Sequence, residues 1–318
     1  MDLTNGHTGK PIRVGHAPVA AAFTPDGRTA YVADAGTAAY AGTPLPPGHG
    51  PLGNRPSSSI TPIDLRTGRA EAPIHVCQGP IAVALSAPAH RLVVACGHRV
   101  ALVDSATRTL VRTINVGGDH RGIIVIAPSG AVAVLGETQI GHGAIPSGDV
   151  VSINLRTGDA GRPISIGGGF GALALSFAPG SDRYLYATTG LPAGKDRAAT
   201  RRIVRRVDLI KRTASAPLTS GGHLLSAIHV WPDGHVGCLA PIPTKAAPDL
   251  YHVASSLTDP GRDVRLNENP GVVTNFAAQA PYLIATYHFS RQIKVVNLAT
   301  GASRTVVLKF YADEVLIG

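Results

Sequence analysis

The chain is poor in the residues that usually announce a chemistry. It has three cysteines in 318 residues, Cys77, Cys96 and Cys238, with no CxxC pair among them. That spacing and the odd number argue against a disulfide framework and a structural zinc site, so buried free thiols are the expectation. One tryptophan and six phenylalanines leave few platforms on which nucleic-acid bases could stack. Acidic residues number 20 against 29 Lys and Arg, a formal charge of +9. The arginines are scattered, which describes a cationic surface rather than a nucleic-acid groove. No apolar run nears the roughly 18 residues of a membrane span, and no leader segment is visible. GxSxG, HExxH, P-loop and EF-hand patterns are missing. The glycine run Gly167–Gly171 precedes a strand pattern rather than a helix, which excludes the usual phosphate cradle.

What the chain does have is a repeat. Its clearest copy is Pro18–Gly36, which reads as two strands joined by Thr24-Pro25-Asp26-Gly27. Proline presets φ, aspartate bonds its own backbone and glycine accepts positive φ, so this is a structural turn and Asp26 a turn residue. Degraded copies turn at Ala87-Pro88-Ala89, Ala127-Pro128-Ser129-Gly130, Ala178-Pro179-Gly180-Ser181, Trp231-Pro232-Asp233-Gly234 and Gln279-Ala280-Pro281. A second series alternates with the first. Asp64-Leu65-Arg66-Thr67-Gly68 has relatives at Asp104–Thr107, Asn154–Gly158, Asp208–Ile210 and Asn297–Gly301. The N-terminal stretch Asp2–Pro18 matches Asp64–Pro80 without a gap. Glycine and proline, 37 and 25 in number, punctuate the whole length.

Four short antiparallel strands at a spacing of roughly 40–60 residues describe a propeller blade. The expected fold is therefore all-β, a single β-propeller domain over residues 1–318. Its blades would be residues 18–79, 80–118, 119–169, 170–222, 223–269 and 270–311. The head Met1–Gly15 and the tail Asp313–Gly318 look like parts of an incomplete seventh blade shared by both termini; six blades are the alternative. A trimmed chain would account for both the short blade and the missing leader. The basic stretch Lys195–Arg212 could form an amphipathic helix, but Ile203–Leu209 lies in register with Asp149–Leu155, so a strand is expected there.

The repeat resembles the YVTN-type β-propeller family, to which YncE-like proteins belong. The residues that carry the resemblance are Phe23–Asp34, then Ile63–Gly68 after an insertion, with Val14-Gly15 in front. The family pattern has Val-Thr-Asn where this chain has Val32-Ala33-Asp34. The resemblance implies the fold and not a chemistry. Propellers of this kind serve as binding scaffolds, as lactonase-like hydrolases and as cofactor-bearing subunits.

Propeller geometry sorts the connections onto two faces. The short stereotyped turns share one. The blade links and the long, varied loops Ala35–Ser58, Thr138–Ser147, Gly190–Thr200 and Ala240–Pro248 share the other, where binding function usually sits. The links bring His16, Gln78, Asp119, His120, Arg121, Phe170, His223, Glu268 and Asp313 towards the channel mouth, and Asp34 and Glu137 end second strands beside them. Imidazoles from separate blades could bind a divalent metal ion, or one could act as a general base. Arg121 could hold an anionic group.

Two functions fit these residues. One is a binding protein that engages a small molecule or a protein partner through the loop-rich face. The other is an enzyme at the same mouth, a hydrolase, lyase or cyclase. In it His16, His120 and His223 would bind metal or move protons, with Asp119, Glu268 and Asp313 as acids or ligands. A monomer is expected, and nucleic acid is not an expected partner. His75, His229 and His252 fall in strands, where core or side-face roles are expected.

Overall fold

The computed structural model describes residues 10–36, 56–118, 122–136, 148–167, 172–178, 180–191, 201–217, 227–230, 236–241, 250–254, 262–265, 273–279, 282–287, 292–297 and 302–307. Every regular element among them is a β-strand, and none of them forms a helix long and apolar enough to cross a membrane. The first sheet holds β1 (Pro18–Phe23), β2 (Thr29–Gly36), β3 (Pro56–Asp64), β4 (Arg69–Ala70) and β5 (Ile74–His75). The second holds β6 (Ala82–Ser86), β7 (Arg91–Cys96), β8 (Arg99–Asp104) and β9 (Thr109–Asn115). The third holds β10 (Ile123–Ile126), β11 (Val132–Gly136), β12 (Asp149–Asn154) and β13 (Ile164–Ser165). The fourth holds β14 (Ala172–Phe177), β15 (Tyr184–Leu191), β16 (Arg201–Asp208) and β17 (Thr213–Ala214). The fifth holds β18 (Ala227–Val230), β19 (Val236–Pro241), β20 (Leu250–Ala254) and β21 (Arg262–Arg265). The sixth holds β22 (Val273–Gln279), β23 (Tyr282–Tyr287), β24 (Gln292–Asn297) and β25 (Ser303–Val307).

These are antiparallel meanders, and the first strands stand side by side: β1 against β6, β6 against β10, β10 against β14, β14 against β18. The fold is a β-propeller, as the repeat predicts. Arg201–Asp208 is a strand paired along its length with β15, as its register with β12 requires. Fourth strands are interrupted where proline removes a ladder donor. Pro73 separates β4 from β5, and Pro163 precedes β13; Thr109–Asn115, with no proline, is continuous.

Turn chemistry fixes one end of the first four blades. Asp64 Oδ1 accepts the amides of Arg66 at 2.8 Å and Thr67 at 3.1 Å. Asp104, Asn154 and Asp208 do the same two and three residues on, at 2.9–3.1 Å. The fourth residue after each is left-handed: Gly68, Arg108, Gly158 and Arg212, with φ of 65°, 60°, 74° and 57°. Glycine accepts that backbone freely; the two arginines adopt it at a cost. In the first hairpin Asp26 Oδ1 accepts the Thr24 hydroxyl at 2.6 Å and the Arg28 amide at 3.0 Å. The two turn series are neighbours, since the Leu65 amide donates to the Arg28 carbonyl at 2.8 Å.

The core lies between blades rather than within them. Along β7, Leu92 and Val94 pack against Tyr31, Ile60 and Ile74 of the first blade, while Val93 and Ala95 pack against Ala133, Leu135 and Val151 of the third. The next seam joins Val134, Val150 and Ile166 to Leu175, Phe177 and Leu185. Strands buried on both faces read as continuous apolar runs, which is why Leu92–Cys96 and Val100–Val103 lack alternation. Each fully buried aliphatic side chain contributes about 1.5–3 kcal/mol. Polar ties cross the same seams. Tyr31 Oη donates to the Ser105 carbonyl at 3.0 Å, Ser86 Oγ to that of Gly130 at 2.7 Å, and Arg112 Nη1 to that of Thr157 at 2.7 Å. Arg108 pairs with Glu71 across the first seam.

Candidate functional site

Because strands alternate in direction, the connections β2–β3 and β6-incoming share one end, and the capped turns share the other. The loop end has a contact repeated from blade to blade. The residue that closes an incoming link lies on the last residues of the next second strand. Register places Asp34, Cys96 and Thr189 in one equivalent position, five residues beyond Thr29, Arg91 and Tyr184. Gly15, Cys77 and Gly167 are the matching link residues. A Cβ on Gly15 would lie 2.4 Å from Asp34 Cγ, so glycine is what permits this approach. Thr189 Oγ1 donates to the Gly167 carbonyl at 2.9 Å.

At the first seam this contact is covalent: Cys77 and Cys96 form a disulfide, with their Cα atoms 5.9 Å apart. This corrects the expectation of free thiols. Spacing along the chain carries no sign of it, because the two cysteines are 19 residues apart. Superimposing the repeat copies puts Cys77 at the position of Gly15 and Cys96 at that of Asp34, a pair that the fold brings into contact. Cys238 lies on β19.

Asp34 is fully buried. Thr61 Oγ1 donates to its Oδ2 at 2.6 Å and Ser59 Oγ at 3.3 Å, and Ser57 Oγ lies 3.3 Å from Ser59 Oγ. Oδ1 is buried without a hydrogen-bond partner. Burial pushes the carboxyl above its usual range, against the pull of Thr61, Ser59, the Gly15 backbone and His16. This is a carboxylic acid with hydroxyl neighbours, closed off by the link above it.

His16 and Gln78 are exposed in the links. The His16 carbonyl accepts the Gly36 amide at 2.9 Å, which holds the link to the end of β2. Asp119, His120, Arg121, Glu137, Phe170, His223, Glu268 and Asp313 lie outside the described residues. Among the described residues no three His, Cys, Asp or Glu side chains converge as metal ligands. His75 is exposed on β5, a side-face position.

The opposite end holds a feature that sequence reading missed. A groove of about 510 Å³ opens between blades three and four, beside Ser152, Ser181, Arg183, Leu209 and Ile210. Arg183 grips Asp208 with Nε at 3.1 and 3.0 Å and Nη2 at 2.7 Å. That guanidinium, with the Lys211 and Ile210 amides, holds the Asp208 carboxyl down at about 2. The Tyr184 ring lies between Arg183 and Arg206, each 5.0 Å from its centroid.

No protein-family model matches the sequence, and no curated protein matches it either. Solved structures do: 1288 chains match in shape, so the fold is widely shared and does not select a chemistry. One of them is Kuenenia stuttgartiensis hydrazine synthase, with a TM-score of 0.65 and 18% identity, covering 90% of this chain and 78% of that one. At that identity the likeness carries the fold alone.

Proposed function

We propose that residues 1–318 form one propeller of the YVTN type, with the termini sharing a seventh blade, and that it binds a small molecule or protein partner through its loop-rich end. The observation that carries this is the inequality of the two ends. At the capped end, the described turns are short and close on their own aspartate or asparagine caps. At the other end the connections run through residues 37–55, 137–148, 192–200 and 242–249, while blade two makes do with Gly97 and His98. Varied loops on a stapled, rigid frame are the usual seat of recognition. Glu137, Asp119, His120, Arg121, Phe170, His223, Glu268 and Asp313 would join His16 and Gln78 in lining it.

A second reading rests on Asp34. Burial raises the pKa of this carboxyl, which lies close to His16, and perturbed carboxyls of this kind gather at sites of proton chemistry. In an enzyme at this mouth Asp34 would serve as a proton store. His16, His120 and His223 would hold a divalent metal or relay protons, with Asp119 beside them.

Two measurements separate the readings. Thermal-shift screening with a small-molecule library should give hits that vanish when residues 37–55 are replaced by a Gly-His turn. If no hit is lost on that replacement, the loop-end binding site is wrong. Metal analysis of the purified protein, with His120→Ala and His223→Ala, tests the enzyme: stoichiometric metal lost in both variants supports it. A metal-free protein with unchanged ligand shifts in both variants removes its metal form.

A further inference from the structure

Equivalent positions explain why a groove opens at the third seam. Tyr31 and Pro62 are cross-strand partners whose side of blade one faces blade two. Val93 and Leu102 are their equivalents facing blade three. Val134 and Ser152 are the equivalents facing blade four. Tyrosine with proline and valine with leucine fill their seams. Valine with serine is the smallest pair, and it leaves both space and a hydroxyl.

We propose that this groove is a binding site for a neutral, polyhydroxylated ligand one or two sugar rings in size. Its volume of about 510 Å³ lies within the range of small-molecule sites. Its charged groups already have partners within the protein. Arg183 is ion-paired to Asp208, and the Asp182 carboxylate accepts the Ser129 amide at 3.0 Å and the Ser129 hydroxyl. Neither a strong anion nor a cation is called for. What remains is directional hydrogen bonding. Arg183 uses only Nε and Nη2 on Asp208, which leaves Nη1 to donate. Ser181 Oγ accepts the amides of Arg183 and Tyr184 at 3.3 Å, which leaves its own hydroxyl hydrogen to donate. Ser152 Oγ can both donate and accept. Val132, Leu209 and Ile210, the last 72% exposed, supply an apolar wall. Hydroxyl-bearing edges with an apolar face are the chemistry of a pyranose ring.

The test is saturation-transfer NMR with glucose, maltose and cellobiose, and with glucuronate as the anionic control. At least one neutral sugar should bind with a Kd of about 1–10 mM. Ser152→Leu, which copies Leu102 of blade two, should weaken it at least about tenfold while leaving Tm at or above the parent value. Arg69→Ala, exposed on β4 of blade one, should change nothing. If Ser152→Leu does not fold, Ile210→Asp removes the apolar lip without touching the seam and should weaken binding similarly. The proposal falls if no neutral sugar gives a signal at about 50 mM, if both groove variants bind as well as the parent, or if glucuronate binds more tightly than glucose.

Discussion

Asp34→Asn makes the most direct trial of the seam chemistry. The carboxyl is fully buried, one oxygen lacks a partner, and burial raises its pKa. A raised pKa means that the folded chain holds this proton more tightly than the unfolded chain. As pH rises from the unfolded value of about 3.9 through the folded one, the unfolded state ionises first and stability falls. Each unit of elevation weakens the fold by about 1.4 kcal/mol once the pH is above both values. An unsatisfied buried acceptor costs about 1–3 kcal/mol. Asparagine keeps the oxygen that accepts from Thr61 and removes the charge. At pH 7 the variant should gain about 1–2 kcal/mol, or about 2–6 °C in Tm for a chain of this size. Thermal and urea melts of both proteins between pH 4 and 8 make the measurement. The parent should lose stability across that window and the variant should not. A variant less stable than the parent at pH 7, with the parent curve flat or rising, would show that the carboxylate is held favourably and the reasoning is wrong.

Other outcomes follow from the same contacts. Gly15→Ala should lower stability by about 1–3 kcal/mol, since its Cβ has no room above Asp34; differential scanning calorimetry reads this. Reducing agent should lower the Tm of the parent by an amount equal to about 3 kcal/mol for a loop of 19 residues, and should leave a Cys77→Ala, Cys96→Ala double variant unmoved. Leu135→Ala should cost about 2–5 kcal/mol because that side chain is completely enclosed in the second seam. Arg183→Met should raise the Asp208 carboxyl from about 2 towards, but not fully to, the ordinary value of about 3.9, because the Ile210 and Lys211 amides remain; carboxyl titration by NMR reads the shift. The Arg183 contribution is present at neutral pH and is lost as pH falls towards 2.

The architecture was legible because its signals are local and repeated. A proline-and-glycine turn, an Asx-capped turn and apolar strands at fixed offsets recur often enough that no single degraded copy matters. Asp64, Asp104, Asn154 and Asp208 each open the same polar turn between strands, which the sequence alone displays. The disulfide and the groove were not legible in that way. Neither is a property of one copy. Cys77 meets Cys96 only when two copies are superimposed, and Ser152 matters only beside Pro62 and Leu102. The burial of Asp34 was hidden for a related reason: what covers it is Gly15, a residue of the incoming link. His16 and Gln78 are exposed because they fall in the links between blades.

Each second strand in this fold is a party wall. Leu92 belongs to one neighbour and Val93 to the other, though they are consecutive in sequence. Drift in one blade is therefore answered in the adjoining blade rather than within its own sheet. A lineage that builds such a ring by copying units inherits matched walls only at the moment of duplication. Afterwards the units diverge in pairs, across seams. That accounts for a chain in which the turns still resemble one another while the wall residues, tyrosine, valine and valine again at one position, record each seam's separate history.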